Sequence, residues 1–179
     1  MSKNIKRADD KHADTARALS VPPDSPPVAV RRAKPEDAAA CGQVSFDAFY
    51  KISTDHGFPP DFPSPGVATG LLSMMFSHPG FYCVVGESGG RMVGSNCLDE
   101  RSAIAGVGPI TVEATFQNFG VGRTLMEAVL ARARERNFPG VRLVQVAFHN
   151  RSLALYSRLG FDAREPVSVM QGAPLSLTL

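Results

Sequence analysis

The chain has 179 residues, of which 44% are hydrophobic and 20% charged, and its formal net charge is +2. This mild charge gives no basis for a nucleic-acid partner, and the lack of a long apolar run gives none for a membrane partner. The length and composition are those of a globular protein with one main domain.

Residues 1–27 differ in composition from the rest of the chain. They are rich in charged residues, have few large apolar side chains and end in the proline-rich run Pro22–Pro27. A segment of this kind buries too little apolar surface to offset the conformational entropy lost on ordering. We therefore expect Met1–Pro27 to be a disordered leader and residues 28–179 to form the folded domain.

The first half of the domain predicts one short strand, two helices and three antiparallel strands. The short strand is Val28–Arg32, and the first helix begins at Pro35, a residue type that suits a first helical turn. The proline-rich stretch Lys51–Pro65 is predicted to be irregular, and the second helix is Gly66–Ser77. The antiparallel strands lie around a Gly89-Gly90 turn: Phe81–Gly86, Arg91–Leu98 and Ala103–Glu113.

A glycine-containing turn, Gln117–Arg123, connects the last of these strands to a helix predicted over Thr124–Arg136. The first N–H groups of a helix have no partner within it, and the helix dipole adds positive charge there. Glycines let the backbone approach a bound anion closely, so this turn predicts a phosphate or pyrophosphate site. Leu125 stands where a dinucleotide fingerprint needs its third glycine, and no Walker lysine follows. The apolar face of the helix is predicted to be Leu125, Met126, Val129, Leu130 and Ala133.

The remaining elements are a strand, a helix and a strand, predicted at Val141–Phe148, Asn150–Leu159 and Phe161–Met170. Leu175–Leu179 alternates like a further strand, and three alternatives stay open: it completes the sheet, the chain is truncated, or a partner subunit completes the sheet in a homodimer. The whole order predicts an α+β fold, a mixed and mostly antiparallel sheet flanked by about four helices.

Two segments of the chain resemble motifs of the GNAT superfamily of N-acetyltransferases. Gln117-x-x-Gly120-x-Gly122 is similar to the loop that binds the acyl-CoA pyrophosphate in that family. Asn150–Phe161 is similar to the family segment that contains an asparagine, a tyrosine and a final Gly-Phe pair. One helix and one strand separate the two segments, as in the family, and the resemblance covers Val28 to about Gly172.

The resemblance implies a GNAT-like fold and a co-substrate, acetyl-CoA or another acyl-CoA, with no metal. It implies that pantetheine pairs with the backbone of Ile110 to Val112 and bonds to Asn150. The pyrophosphate would lie on the turn, at Gln117, Asn118, Phe119, Gly120, Val121, Gly122 and Arg123. Phe119 stands where the family commonly has a basic residue, which removes one phosphate contact.

The resemblance also implies the reaction, direct attack of an amine on the thioester of acetyl-CoA through a tetrahedral intermediate. The acceptor would be a small-molecule amine or a protein amine. Tyr156 would return a proton to the leaving thiolate, although simple core packing of this side chain is an alternative. Glu113 is the candidate base, and Asp99, Glu100 and His56 are others. A non-catalytic acyl-CoA sensor of the same fold is the alternative function, and an interaction module is a third.

The cysteines bear on redox state and on metal binding. Cys41, Cys83 and Cys97 lie in apolar or strand-like segments and cannot all pair with one another. We interpret them as reduced, buried thiols of a cytoplasmic protein. No spacing of histidine, cysteine and carboxylate residues fits a metal site.

Overall fold

The computed structural model describes residues 27–168. Most of the predicted leader and the predicted strand Leu175–Leu179 therefore lie outside the described residues. The chain divides into two compact units, with the boundary between Arg142 and Leu143. No helix in the described part of the chain is long and apolar enough to cross a membrane.

The first unit contains a six-stranded sheet. Its strands are β1 Ala29–Arg32, β2 Phe81–Ser88, β3 Arg91–Asp99, β4 Ala105–Val107, β5 Thr111–Val112 and β6 Val141–Arg142. The order is β1-β2-β3-β4-β6, and β5 pairs with β3 outside that path. Only the β4–β6 pair is parallel; the other pairs are antiparallel. The predicted mixed, mostly antiparallel sheet is confirmed.

The described residues contain four α-helices: α1 Ala38–Asp55, α2 Pro65–Ser77, α3 Val121–Glu135 and, in the second unit, α4 Asn150–Arg158. A 3-10 turn, Pro35–Asp37, precedes α1. The apolar face predicted for α3 is confirmed, since all five of its residues are buried. The prediction that Lys51–Asp55 is irregular was wrong. The first proline of that stretch is Pro59, so the helix continues to Asp55.

Three predicted strands differ from the structure. Ala103–Glu113 is split into β4 and β5, which pair with β3 in registers that differ by one residue, as at a β-bulge. Val141–Phe148 is a strand only at β6, and residues 161–168 form no strand. Apolar periodicity reports which residues favour burial but not whether a partner strand lies beside them.

The sheet of the first unit has a hydrophobic cluster on each face. Alternate residues of a strand point to opposite faces, so Cys83 and Val85 pack with α1 and α2. Val84, between them, packs on the other face with α3. In this three-layer arrangement, α3 lies on one face of the sheet, in contact with β5, and α1 and α2 lie on the opposite face.

Two cysteines form a disulfide, which corrects the prediction of three reduced thiols. Cys83 and Cys97 lie directly opposite each other on β2 and β3, with their Cα atoms 4.0 Å apart, and are bonded to each other. The Gly89-Gly90 turn alone would place Cys83 opposite Asn96. The sequence does not reveal the irregularity between Gly86 and Glu87 that shifts the register by one residue and brings Cys83 opposite Cys97. Cys41 is a buried free thiol, as predicted, and burial raises its pKa to about 12.

An ion pair between β1 and the turn before α1 gives the fold a pH dependence. Arg31 donates to both carboxylate oxygens of Asp37, at 2.7 and 2.8 Å, and this contact lowers the pKa of Asp37. A lowered carboxyl pKa in the folded state stabilises the fold above the unfolded-state pKa. That stability is lost as the pH falls through the folded-state value.

We expect Asp37→Asn to lower the free energy of unfolding at pH 7 by about 1.5–3 kcal/mol, the range for hydrogen bonds to charged groups. The difference from the parent protein should shrink as the pH falls below the ordinary aspartate value of about 3.9 and through the lowered folded-state pKa of Asp37, because the parent carboxyl then also becomes protonated. Urea unfolding at pH 7 and at a series of acidic pH values measures it. Asp55→Asn removes an exposed pair with Lys51 and should change stability by less than about 0.5 kcal/mol. An equal loss in both variants would contradict the prediction.

Candidate functional site

The N-terminus of α3 has the geometry of an anion site. Gly120 is the N-cap, with a φ of 82°, and no side chain caps the helix. The N–H groups of Val121, Gly122 and Arg123 therefore have no acceptor within the helix. A Cβ on Gly120 would meet nothing within 4 Å, so the backbone conformation, and not lack of space, favours glycine here. The Val121 side chain is buried, so only its backbone faces a ligand.

The strand before this turn, β5, has one edge that faces away from β3. The Glu113 N–H donates to the Val93 carbonyl at 2.8 Å, and Val112 lies opposite Gly94. In an antiparallel ladder the bonding direction alternates along the strand. The N–H and C=O of Val112 therefore point away from β3, and the same alternation directs the backbone of Ile110 to that edge. The structure thus brings Ile110 and Val112 onto one edge, close in the chain to the helix N-terminus.

A side-chain bond that sequence reasoning did not reveal joins these two features. Gln117 Nε2 donates to the Val112 carbonyl at 2.9 Å. The bond ties the turn to the outward edge of β5 and leaves the Val112 N–H as the polar group that faces a ligand there. The motif had assigned Gln117 to the phosphate. The sequence does not indicate this contact, because a glutamine five residues after a strand residue matches no known local pattern.

The site also depends on a buried hydroxyl cluster that the sequence did not predict. Thr111 Oγ1 of β5 lies 3.0 Å from Ser45 Oγ of α1 and 3.4 Å from Ser95 Oγ of β3. All three residues are buried. Buried polar groups need partners, so these bonds hold β5 in a fixed position against α1 and β3.

Arg123 and the three candidate carboxylates are all in ion pairs. Arg123 Nε bonds to Glu127 at 2.8 Å, so its charge is partly compensated within α3. Glu113 accepts from Thr115 at 2.7 Å and pairs with Arg91 at 3.3 Å. The other two candidate carboxylates are also in ion pairs: Glu100 with Arg132 and Asp99 with Arg101. The bond to Arg101 lowers the pKa of Asp99.

The second unit holds Tyr156 on α4. The side chain is buried, its ring packs against Phe161 with centroids 6.1 Å apart, and burial raises its pKa. His149 caps α4, since its Nδ1 accepts from the Ser152 N–H at 3.1 Å. Asn150 is the first residue of the helix and is exposed.

The two remaining candidates are His56 and Phe119, and only Phe119 belongs to the turn. His56, at the end of α1, is exposed, and its Nδ1 lies 2.8 Å from the carbonyl of Ile52. Phe119 is half-buried in the turn. Within residues 27–168, no group of three histidine, cysteine or carboxylate side chains is arranged to hold a metal ion.

Comparison with known proteins gives one family and many structures of the same fold. The model of the acetyltransferase (GNAT) family matches residues 46–161, and no curated protein matches the chain. The PaiA N-acetyltransferase of Thermoplasma acidophilum, in complex with coenzyme A, is 12% identical with a TM-score of 0.67. That match covers 79% of this chain and 93% of the other.

Two further structures are similar to a comparable degree. The aminoglycoside N-acetyltransferase AAC(6')-Iy, in complex with CoA, is 14% identical, with a TM-score of 0.65 and coverage of 86% of this chain and 99% of the other. A predicted acetyltransferase from Clostridium acetobutylicum, with acetyl-CoA, is 13% identical, with a TM-score of 0.62 and coverage of 81% and 96%. At these identities the likeness shows the fold, which is the α+β fold that the sequence predicted.

Proposed function

Because this chain belongs to the GNAT acetyltransferase family, we propose that it transfers an acetyl group from acetyl-CoA to a small amine. The observation that carries the proposal is the pairing of two features in the first unit. The uncapped N-terminus of α3 offers N–H donors to an anion, and the outward edge of β5 offers them to an extended chain. The Gln117–Val112 bond holds the two together.

These features fit the two ends of an acyl-CoA molecule. The amides from Asn118 to Arg123 would bind the pyrophosphate, as helix N-termini bind phosphates. The outward backbone groups of Ile110 and Val112 would bind the amides of the pantetheine arm, as a strand edge binds an extended peptide. Asn150, exposed at the start of α4, would donate a further bond to that arm. Acetyl-CoA supplies the acetyl thioester on which the amine acts.

The residues of the chain have distinct proposed parts in the reaction. A backbone N–H on the outward edge of β5 would stabilise the negative charge that develops on the thioester oxygen. Tyr156 would give its proton to the departing thiolate, and the raised pKa keeps its phenol protonated at neutral pH. Arg91 and Thr115 already bind the carboxylate of Glu113. Glu113 would therefore accept the proton of the amine through a water molecule and not by direct contact.

The test is a calorimetric titration with acetyl-CoA, followed by thiol release from the same protein against a panel of amines. Binding with amine-dependent thiol release is the expected result. Binding without release from any amine would favour a non-catalytic acyl-CoA sensor. A folded protein that does not bind acetyl-CoA would overturn the proposal.

The Gln117 bond gives a separate prediction. We expect Gln117→Ala to raise the Kd for acetyl-CoA about tenfold, the effect of losing one hydrogen bond of about 1–1.5 kcal/mol. The variant lacks the hydrogen bond from Gln117 to the Val112 carbonyl, so the edge of β5 is no longer held against the turn. Gln43→Ala is the matched control, because Gln43 also donates its amide at 2.9 Å, to Asp47, but on an exposed face of α1. Equal Kd values for the two variants in calorimetry would contradict the prediction.

A further inference from the structure

An open cavity of about 380 Å³ lies at the surface between α2 and the end of β4, on the side of the sheet opposite α3. One wall is largely apolar, and the other side is formed by Gly106–Pro109, the segment that leads directly into β5. Asp99 and Arg101 contribute the charged groups, and the apolar wall is Leu71, Met74, Met75 and Phe81. Small-molecule sites in proteins are mostly apolar with a few placed polar groups.

The guanidinium of Arg101 is held in a fixed position. Its Nε and Nη2 donate to the two carboxylate oxygens of Asp99 at 2.8 and 2.7 Å. It also lies over the ring of Phe81, 4.4 Å from the centroid. A Cβ at position 80 would lie 2.6 Å from Arg101 Cγ, so Gly80 leaves the room that the arginine stem occupies.

One edge of this guanidinium remains directed away from its carboxylate partner. Arginine carries five N–H donors in a planar fork, and Asp99 takes those of the Nε–Nη2 edge. The Nη1–Nη2 edge, where each nitrogen keeps one N–H, has the geometry that binds a second carboxylate by two parallel hydrogen bonds. The side chain is half exposed, at 52%, so a ligand can reach it.

The apolar wall is also accessible to a ligand. Met74 is 46% exposed and lies three residues after Leu71 on α2, so the two share one helical face. Methionine is flexible and adapts to ligands of differing shape. A ligand that fits this cavity therefore has an apolar part beside a carboxylate.

We propose that this cavity binds the acyl acceptor and that the acceptor is an apolar α-amino acid. This inference rests on the proposed function. The carboxylate binds the outer edge of Arg101, the side chain packs on Leu71 and Met74, and the amine points to the Gly108–Pro109 backbone before β5. The neutral amine nitrogen forms a bond to the acetyl carbon to give the tetrahedral intermediate, and the carbon–sulfur bond breaks when that intermediate collapses. The nitrogen loses one proton, and the CoA thiolate gains one.

The experiment compares leucine with 3-methylbutylamine, which differs from it only by lacking the carboxylate. Thiol release from acetyl-CoA is measured with both. We expect leucine to have at least about a tenfold higher kcat/KM, because a bidentate carboxylate contact is among the stronger hydrogen-bonded pairs. In Arg101→Ala that preference should fall to near one, and in the control Arg134→Ala, an exposed arginine of α3, it should persist.

A second variant keeps the test decisive if Arg101→Ala folds poorly. Met74→Glu places a carboxylate on the exposed wall and leaves the Asp99–Arg101 pair intact, so it should lower kcat/KM for leucine about tenfold by repelling the substrate carboxylate. In a protein that binds acetyl-CoA, three outcomes would overturn this inference alone. They are equal turnover of leucine and 3-methylbutylamine, no turnover of leucine, and a preference for leucine that persists in both variants. Failure to bind acetyl-CoA would overturn the proposed function itself.

Discussion

Gly120→Val is expected to raise the Kd for acetyl-CoA by at least about a hundredfold, or roughly 2.7 kcal/mol. A β-branched residue is strongly disfavoured at the φ of 82° that Gly120 adopts. The turn must rotate toward negative φ, and the first amides of α3 then no longer converge on one anion. The free energy of unfolding should fall by only about 1–2 kcal/mol, the cost of one left-handed residue.

Gly90→Val is the matched control for this prediction. Gly90 has a φ of 78°, and a Cβ there also meets nothing within 4 Å, but it lies in the turn between β2 and β3. Both variants should lose similar stability in urea unfolding, while only Gly120→Val loses acetyl-CoA binding in calorimetry. If a folded Gly120→Val protein bound acetyl-CoA as tightly as the parent protein, the N-terminus of α3 would not be part of the binding site.

Tyr156→Phe is expected to lower kcat roughly a hundredfold, within the range for loss of general acid–base catalysis. The Kd for acetyl-CoA should not change, because the proposed role of the hydroxyl begins only when the thiolate leaves. The ring, which packs against Phe161, is retained, so stability should change little. Single-turnover thiol release at saturating acetyl-CoA measures the effect.

The pH profile and a second tyrosine separate catalysis from packing. Burial raises the pKa of Tyr156, so the protonated phenol persists throughout the neutral range, and activity should fall only above about pH 10, its ordinary value. Tyr82→Phe removes a hydroxyl from a half-buried tyrosine of β2 and should leave kcat unchanged. If both variants kept full activity, Tyr156 would be a packing residue.

Most helices and strands of the fold could be predicted from local sequence patterns. The Gly89-Gly90 turn predicted the β2–β3 hairpin, and the spacing of Leu125 to Ala133 predicted the buried face of α3. The strand predictions failed where long-range pairing decides the outcome. Val141–Phe148 and Phe161–Met170 are apolar enough for strands, but the ladder in the described residues ends at Arg142. The Cys83–Cys97 pairing was missed for the same reason, since register is a property of two strands.

The candidate site was predictable in its backbone parts and not in its side-chain contacts. Gly120 was found because a glycine turn before a helix has a specific electrostatic consequence. The bonds from Gln117 to Val112 and from Ser45 to Thr111 join residues whose proximity exists only after folding. The acidic candidates were identified by residue type, but two of the ion pairs that occupy them, Glu113 with Arg91 and Glu100 with Arg132, join residues that are far apart in the chain.

The bond between Gln117 and the Val112 carbonyl also bears on which chains can associate with β5. A strand from another protein molecule extends a sheet by offering donors and acceptors in alternation, and exposed strand edges invite such association. At Val112 one lone pair of the carbonyl is already used by Gln117, so a foreign strand would have to share that carbonyl with the glutamine or displace it. A ligand that offers only a carbonyl to the Val112 N–H meets no such competition. The glutamine therefore makes this short edge a poorer template for a foreign strand than for such a ligand.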